Sequence, residues 1–162
     1  MFASNVDNTG SQFNITSIVE GDDWDQRQSD RIQVLKFAFF LTLAGSDSSN
    51  AIRIMFVRSK VGPLVAANFP TLLNPPDYDK MQVYYDRTYQ TSQNGPDIVN
   101  DVIYSHNFKS RKVPYLNVNY DDDVSATNAQ KNPLYMWIIT DSGVSPNPYV
   151  TGHYILKFYN KN

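Results

Sequence analysis

Short runs in which apolar and polar residues alternate recur along the chain, and this pattern predicts β-strands. Amphipathic helix spacing is almost absent, and clusters of Asn, Asp, Ser, Gly and Pro separate the runs. We predict eight strands, at residues 13–20, 31–43, 52–60, 81–91, 102–112, 114–120, 134–140 and 149–159. Eight antiparallel strands with almost no helix are typical of an all-β, two-sheet jelly roll, with an immunoglobulin-like sandwich as the alternative.

The run at residues 31–43 is apolar on both faces. Its odd positions from Leu35 to Leu43 share one face, which we predict to be the core side, and Ile32, Val34 and Phe40 lie on the other face. Apolar side chains on an outer face need cover. We therefore expect another element, or a neighbouring subunit, to pack on this strand.

Two segments do not follow the strand pattern. Residues 62–78 hold four prolines, which predicts a long irregular connection with one helical turn around residues 64–69. Residues 1–12 are polar and have neither a basic nor an apolar signal-peptide region. We expect a flexible arm at 1–12 followed by one domain at 13–162.

Composition limits the class of protein. A chain of 162 residues with 41% hydrophobic and 14% aromatic residues can bury one core. Its formal charge of -2 gives no strong general attraction to nucleic acid or to an anionic membrane. Cysteine is absent, which excludes disulfides and thiolate chemistry. The longest apolar stretch is too short to span a bilayer, so we expect no membrane insertion.

Catalytic and metal motifs are not evident. The two histidines, His106 and His153, lie in no zinc or triad spacing, and the glycines form no phosphate-binding loop. We therefore expect no enzymatic activity and no cofactor. The acidic run Asp121, Asp122 and Asp123 is a weak calcium candidate, as is the turn at residues 22–25, but neither has EF-hand spacing. A solvated turn is the commoner structure for such runs.

Cations and aromatic rings interleave in one predicted hairpin. The cations are His106, Lys109, Arg111 and Lys112, and the rings include Tyr104 and Phe108. Such residues could contact phosphates and stack on unpaired bases, which makes them candidate nucleic-acid ligands. The alternative is an edge strand that lysines protect from aggregation.

Aromatic residues in the loops are candidates for contacts between subunits. Large rings at stiff, proline-rich positions often anchor interfaces. The candidates are Trp24, Phe69, Tyr78 and Tyr149. The alternative is that these rings cap the ends of the sandwich.

Five pieces of sequence, in order along nearly the whole chain, support a family resemblance. They are Val-Glu-Gly at 19–21 with Asp-Arg-Ile at 30–32, Ile-Arg-Ile-Met-Phe-Val-Arg at 52–58, Val-Tyr-Tyr-Asp-Arg-Thr-Tyr at 83–89, Asn-Pro-Leu-Tyr at 132–135, and residues 152–158. In these pieces the chain resembles the capsid proteins of circular Rep-encoding single-stranded DNA viruses, which are circovirus-like and related in fold to the satellite tobacco necrosis virus coat protein.

The resemblance implies a structural protein of the virion that assembles with copies of itself into a small icosahedral shell around a genome, single-stranded DNA rather than RNA. Such proteins usually begin with an arginine-rich arm, whereas residues 1–12 have no Arg or Lys. Either the arm is missing from this chain, or other residues such as Arg111 and Lys112 contact the genome. The alternative functions are a monomeric carbohydrate-binding module and a hydrolase built on a sandwich.

Overall fold

The computed structural model describes residues 2–23, 25–44, 49–92, 102–109, 116–120, 128–143, 145 and 147–161, with backbone only at 2, 49, 92 and 102–109. Over these residues it has one short 3-10 helix, Ala66–Asn68, and nine strands. The strands are β1 Phe2–Asn5, β2 Ser11–Asn14, β3 Arg31–Ala44, β4 Ser49–Ser59, β5 Met81–Ser92, β6 Val102–Lys109, β7 Asn117–Asn119, β8 Leu134–Thr140 and β9 Tyr149–Asn160.

The strands pair as a nested antiparallel ribbon. β1 pairs with β9, β2 with β8, β3 with β6, and β4 with β5. Two further pairings, β3 with β9 and β4 with β8, join the ribbon into two sheets. Sheet A has the order β1-β9-β3-β6, with short β7 also beside β3, and sheet B has the order β2-β8-β4-β5.

This topology confirms the predicted eight-stranded jelly roll. One of its eight strands is the unpredicted β1, whereas β7, which lies in the strand predicted at 114–120, is a short addition beside β3. In an immunoglobulin-like sandwich the first strand pairs with the second, whereas here the first strand pairs with the last. The immunoglobulin-like alternative is therefore wrong.

The N-terminal residues differ from the expected flexible arm because they contribute two strands. β1 pairs with residues 149–152 of β9 and so covers an edge that would otherwise expose unpaired backbone groups. β2 begins two residues before the strand predicted at 13–20 and ends at Asn14. It ends there because the Asn14 Oδ1 accepts a hydrogen bond from the Thr16 amide at 3.0 Å, which turns the backbone out of the sheet.

A β-bulge in β3 changes which residues face the core. The register between β3 and β9 shifts between Val34 and Lys36, so Leu35 is an extra residue. Ile32 and Val34 belong to the core before the bulge, and Phe37, Phe39, Leu41 and Leu43 belong to it afterwards. Ala38 is also buried, on the other face of the strand. The prediction that Leu35 faces the core while Ile32 and Val34 face outward is therefore wrong, because a bulge shifts the alternation by one residue.

The core has two layers. The main layer lies between the sheets, where the Phe37 and Phe56 rings stack with centroids 4.1 Å apart. The second layer lies on the outer face of sheet B, beneath the long connection from β4 to β5, where Leu64 and Phe69 pack on that sheet. The predicted irregular connection and its helical turn are confirmed, and the structure adds that this segment covers one face of a sheet.

Trp137 is where three distant segments meet in the second layer. Its indole is 2% exposed and stacks on the Phe69 ring, with centroids 4.7 Å apart. The turn between β1 and β2 closes over the same indole at Gly10, whose φ is +79°. A Cβ at Gly10 would lie 2.2 Å from Trp137 Cζ2. Glycine is required here both by the left-handed backbone and by the close approach of the ring.

We predict that Gly10→Ala lowers the free energy of unfolding by about 3 kcal/mol, because it combines left-handed strain with an overpacked ring. Gly143→Ala is the control, since Gly143 has no positive φ and faces only the flexible Asn8 side chain. The control should stay within about 0.5 kcal/mol of wild type in urea unfolding followed by circular dichroism. Equal effects of the two substitutions would contradict this account of the turn.

Candidate functional surfaces

The connection between β4 and β5, residues 60–80, is fixed to sheet B by the buried guanidinium of Arg53. We call this connection the β4–β5 loop. Arg53 Nε and Nη2 donate to the two carboxylate oxygens of Asp86, at 2.8 and 2.7 Å. Its Nη1 donates to three loop carbonyls, those of Thr71 at 2.9 Å, Leu72 at 3.1 Å and Asn74 at 2.7 Å. One side chain therefore joins two strands to the loop backbone.

The Arg53 side chain is 8% exposed, so its charge needs its partner. The hydrogen bonds that the Arg53 guanidinium donates to Asp86 raise its pKa above the usual value, and the guanidinium stays charged throughout the physiological range. The guanidinium group suits this position because it is planar and has five N–H donors. It can bind both oxygens of a carboxylate and still donate to several carbonyls. The loop path is thus specified by directional bonds as well as by apolar packing.

Further hydrogen bonds hold the start of the β4–β5 loop. The Leu64 amide donates to the Tyr135 hydroxyl at 3.1 Å, and the Leu64 carbonyl accepts from Gln12 Nε2 at 2.8 Å. Burial raises the pKa of the Tyr135 hydroxyl, which keeps it neutral. Lys60 Nζ donates to the Tyr78 carbonyl at 2.5 Å and ties the two ends of the loop together. This long proline-rich segment is therefore ordered by contacts at both ends and in the middle.

The same loop presents apolar side chains to solvent. Its large exposed apolar residues are Val61 at 60%, Val65 at 63%, Leu73 at 90% and Tyr78 at 61%. Scattered exposed apolar residues are ordinary on a protein surface, but several on one fixed segment indicate an interaction site. We call these four residues the loop apolar surface.

The predicted subunit-contact residues fall in different environments. Tyr78 belongs to the loop apolar surface, and Tyr149 is 43% exposed at the start of β9. Phe69 is 8% exposed and is enclosed by Trp137 and Tyr135, so its ring holds the loop to its own sheet. Trp24 lies outside the described residues. Phe69, Tyr78 and Tyr149 therefore do not form one exposed surface.

The predicted nucleic-acid residues lie on or beyond β6. His106 pairs with Phe39, which faces the core, and Lys109 pairs with Lys36, which is exposed. The two positions therefore lie on opposite faces of sheet A. Arg111 and Lys112 lie outside the described residues, as do the calcium candidates Asp121, Asp122 and Asp123.

The described residues show no arrangement that would bind a metal. No group of three or more His, Asp or Glu side chains converges in this part of the chain, which includes the turn at residues 22–25 apart from Trp24. In that turn Asp23 accepts a hydrogen bond from Gln26, so its carboxylate serves the turn itself. His153 is exposed and its ring stacks on Phe40, with centroids 4.9 Å apart.

None of the helices in the described ranges is long and apolar enough to cross a membrane.

Sequence reasoning missed Arg53, which organises the β4–β5 loop. The available signal was a charged residue between two isoleucines in a largely apolar strand, because such a residue needs a buried partner. Its partner Asp86 lies 33 positions away, so no local spacing joins the two. Leu73 was missed for a different reason, since exposure of one apolar residue in a loop is known only once the loop path is known.

No protein-family model matches this chain, and no curated protein matches its sequence.

We predict that Arg53→Ala lowers the free energy of unfolding by about 3 kcal/mol, because it leaves the Asp86 carboxylate and three carbonyls without their donor. Arg53→Lys should recover only part of that stability, since an ammonium group cannot form the same set of hydrogen bonds as the planar guanidinium. Arg87→Ala, at an exposed position of β5, is the control and should change stability by less than about 0.5 kcal/mol. Urea unfolding measures all three, and a destabilisation at Arg53 no larger than at Arg87 would contradict the assigned role.

Proposed function

We propose that this chain is a viral capsid protein, which assembles with copies of itself into a closed shell around a nucleic-acid genome. The observation that carries the proposal is the loop apolar surface, held in place by Arg53 and presented outside sheet B. A shell built from one protein needs contacts between different patches that recur at a fixed angle. A fixed apolar loop suits such a contact.

Order in the loop matters because association costs conformational entropy. A flexible loop of this length would lose that entropy on binding, whereas a loop already fixed by hydrogen bonds loses little. The exposed apolar area of the four residues of the loop apolar surface is then available to stabilise association. This combination favours an interface over a solvent-exposed connection without a role.

The fold and the family resemblance support the same function. Jelly rolls occur in viral capsid domains, although the fold alone does not define a function. Two of the five resembling pieces, residues 52–58 and 83–89, lie on neighbouring β4 and β5. Arg53 belongs to the first piece and Asp86 to the second, so the resemblance includes both partners of the ion pair that fixes the loop.

On this proposal the protein resides in the virion and has a structural role without catalysis. Its partners are other copies of the same chain and a genome, which the resemblance makes single-stranded DNA rather than RNA.

The test is particle formation by wild type, Leu73→Asp and Val19→Asp, followed by light scattering and negative-stain microscopy. We expect uniform hollow particles from wild type. Leu73→Asp should raise the concentration needed for assembly about tenfold or more, because each copy would bury a carboxylate in an apolar contact. Its melting temperature should not change, since Leu73 is 90% exposed.

Val19→Asp is the matched control, because Val19 is 54% exposed and lies outside the β4–β5 loop. It should assemble like wild type. A wild-type protein that stays monomeric at every pH and salt concentration would refute the proposal and favour the carbohydrate-binding alternative. Particles that form equally well from Leu73→Asp would show that the loop apolar surface is not the contact.

A further inference from the structure

Sheet A contains basic residues and no acidic ones. None of its five strands, β1, β3, β6, β7 and β9, includes an Asp or a Glu. The same strands carry Arg31, Lys36, Lys109 and Lys157. The strands of sheet A therefore carry four cationic side chains and no carboxylate, in a chain whose formal charge is -2. Such segregation indicates a surface for an anionic partner.

The strand register places three lysine positions side by side. Lys36 in β3 pairs with Lys157 in β9 on one side and with Lys109 in β6 on the other. Neighbouring strands are about 4.8 Å apart, so the three positions span about 10 Å across the sheet. Lys36 and Lys157 are exposed. We call these three positions the lysine row.

The bulge at Leu35 creates this row. Before the bulge Val34 pairs with Phe158, and an unbroken register would have paired residue 36 with residue 156. Residue 36 would then have shared the face of Ile32 and Val34, which is the core face. The extra residue brings Lys36 to the outer face and opposite Lys157. Bulges often re-aim side chains at functional sites.

A row of like charges weakens the sheet unless something neutralises it. Cations directly opposite each other on neighbouring strands repel and destabilise the pairing. In the described residues, none of the four ion pairs includes Lys36 or Lys157. A polyanion bound along the row would remove this repulsion, as lysines neutralise phosphate groups when a protein binds nucleic acid.

Aromatic rings on the same outer face suit unpaired bases. One step along β9 from Lys157 lies Tyr159, which is 47% exposed. Two steps the other way the His153 ring stacks on Phe40. Successive outward positions on a strand are about 6.8 Å apart, so rings lie within about two such steps of the lysine row on both sides. Phosphate-binding cations between stacking rings are typical of single-strand binding surfaces.

A second copy of the chain in a two-fold contact fits this face less well than a polyanion. A two-fold contact would place the same surface on both sides of the interface. Because none of the strands of sheet A has a carboxylate, such a contact would bring lysine rows together with nothing to compensate them.

We infer that the outer face of sheet A binds single-stranded nucleic acid, with phosphates at Lys36 and Lys157 and bases against Tyr159 and the Phe40–His153 pair. This inference rests on the proposed function and deepens it, because it names the surface that contacts the genome. The surface lies beside the β6 position of Lys109, from the predicted basic hairpin, and its lysines Lys36 and Lys157 come from two other strands.

The test compares two double variants with equal charge change, both in the Leu73→Asp background so that binding is measured apart from assembly. The first variant, which we call the row variant, combines Lys36→Gln with Lys157→Gln and removes two positive charges from the lysine row. Lys80→Gln with Arg87→Gln, both exposed and on the β5 side of sheet B, is the control. Binding of a fluorescein-labelled oligothymidylate is followed by anisotropy from about 50 to about 300 mM NaCl.

We expect the row variant to bind about tenfold more weakly than the Leu73→Asp parent. Its slope of log affinity against log salt should fall by about 1.4, since each phosphate that a lysine no longer neutralises lowers the slope by about 0.7. The control should bind like the parent. Equal binding by the row variant and the parent, or an equally weakened control, would overturn the inference. The inference would also be overturned if the row variant bound the oligonucleotide like the parent but differed from it in oligomeric mass, because the face would then be a contact between protein chains.

The outcomes separate the inference from the proposed function. Particles from wild type, together with no oligothymidylate binding by the Leu73→Asp parent, would overturn the nucleic-acid surface and leave the shell. Binding at the lysine row by a chain that never forms particles would leave the surface and overturn the shell.

Discussion

Strand β8 is buried at each of its seven residues, and cover for both of its faces is the constraint that organises sheet B. Leu134, Met136 and Ile138 face the layer between the sheets, whereas Tyr135, Trp137 and Ile139 face outward. The first face is covered by sheet A, as in any sandwich. The second face is covered by the β4–β5 loop, which explains why a compact domain keeps so long a connection between neighbouring strands.

Packing alone would cover that face without fixing the shape of the loop. Apolar contacts such as Phe69 on Trp137 are tolerant of small shifts, whereas the five hydrogen bonds of Arg53 are directional. A buried ion pair often adds little net stability compared with apolar residues of the same volume. What Arg53 contributes is one defined path for the backbone at Thr71, Leu72 and Asn74, and hence one defined position for Leu73 between them.

The fold was largely predictable because most strands have a strong local pattern. The run at 134–140 and the alternation at 81–91 and 149–159 correspond closely to β8, β5 and β9. β1 was not predictable, since four residues with one large apolar side chain carry too little pattern. The face of β3 was predicted wrongly around Leu35 because a bulge leaves no mark in composition. The local sequence thus indicates where a strand lies, whereas which of its side chains face the core also depends on the register with the partner strand.

The candidate surfaces were less predictable for the same physical reason. Lys109 was visible in a basic cluster along the chain, but Lys36 and Lys157 are isolated lysines in their own strands, and only the register joins them. Tyr78 and Phe69 are both large rings in the same stiff loop, yet Tyr78 is exposed and Phe69 is buried. Local sequence cannot distinguish the two, because the sheet face beneath the loop decides which ring turns inward.

The outer faces of the two sheets differ in what covers them and in the side chains they expose, so the domain has two distinct sides. Sheet B carries a fixed loop and presents apolar side chains beyond it. The outer face of sheet A exposes Ile155 to 53% and carries the lysine row across its strands. A symmetric sandwich would have no such polarity. Because the bulge at Leu35 brings Lys36 to the outer face, one inserted residue links the burial of Ile32 and Val34 to the charge of the opposite surface.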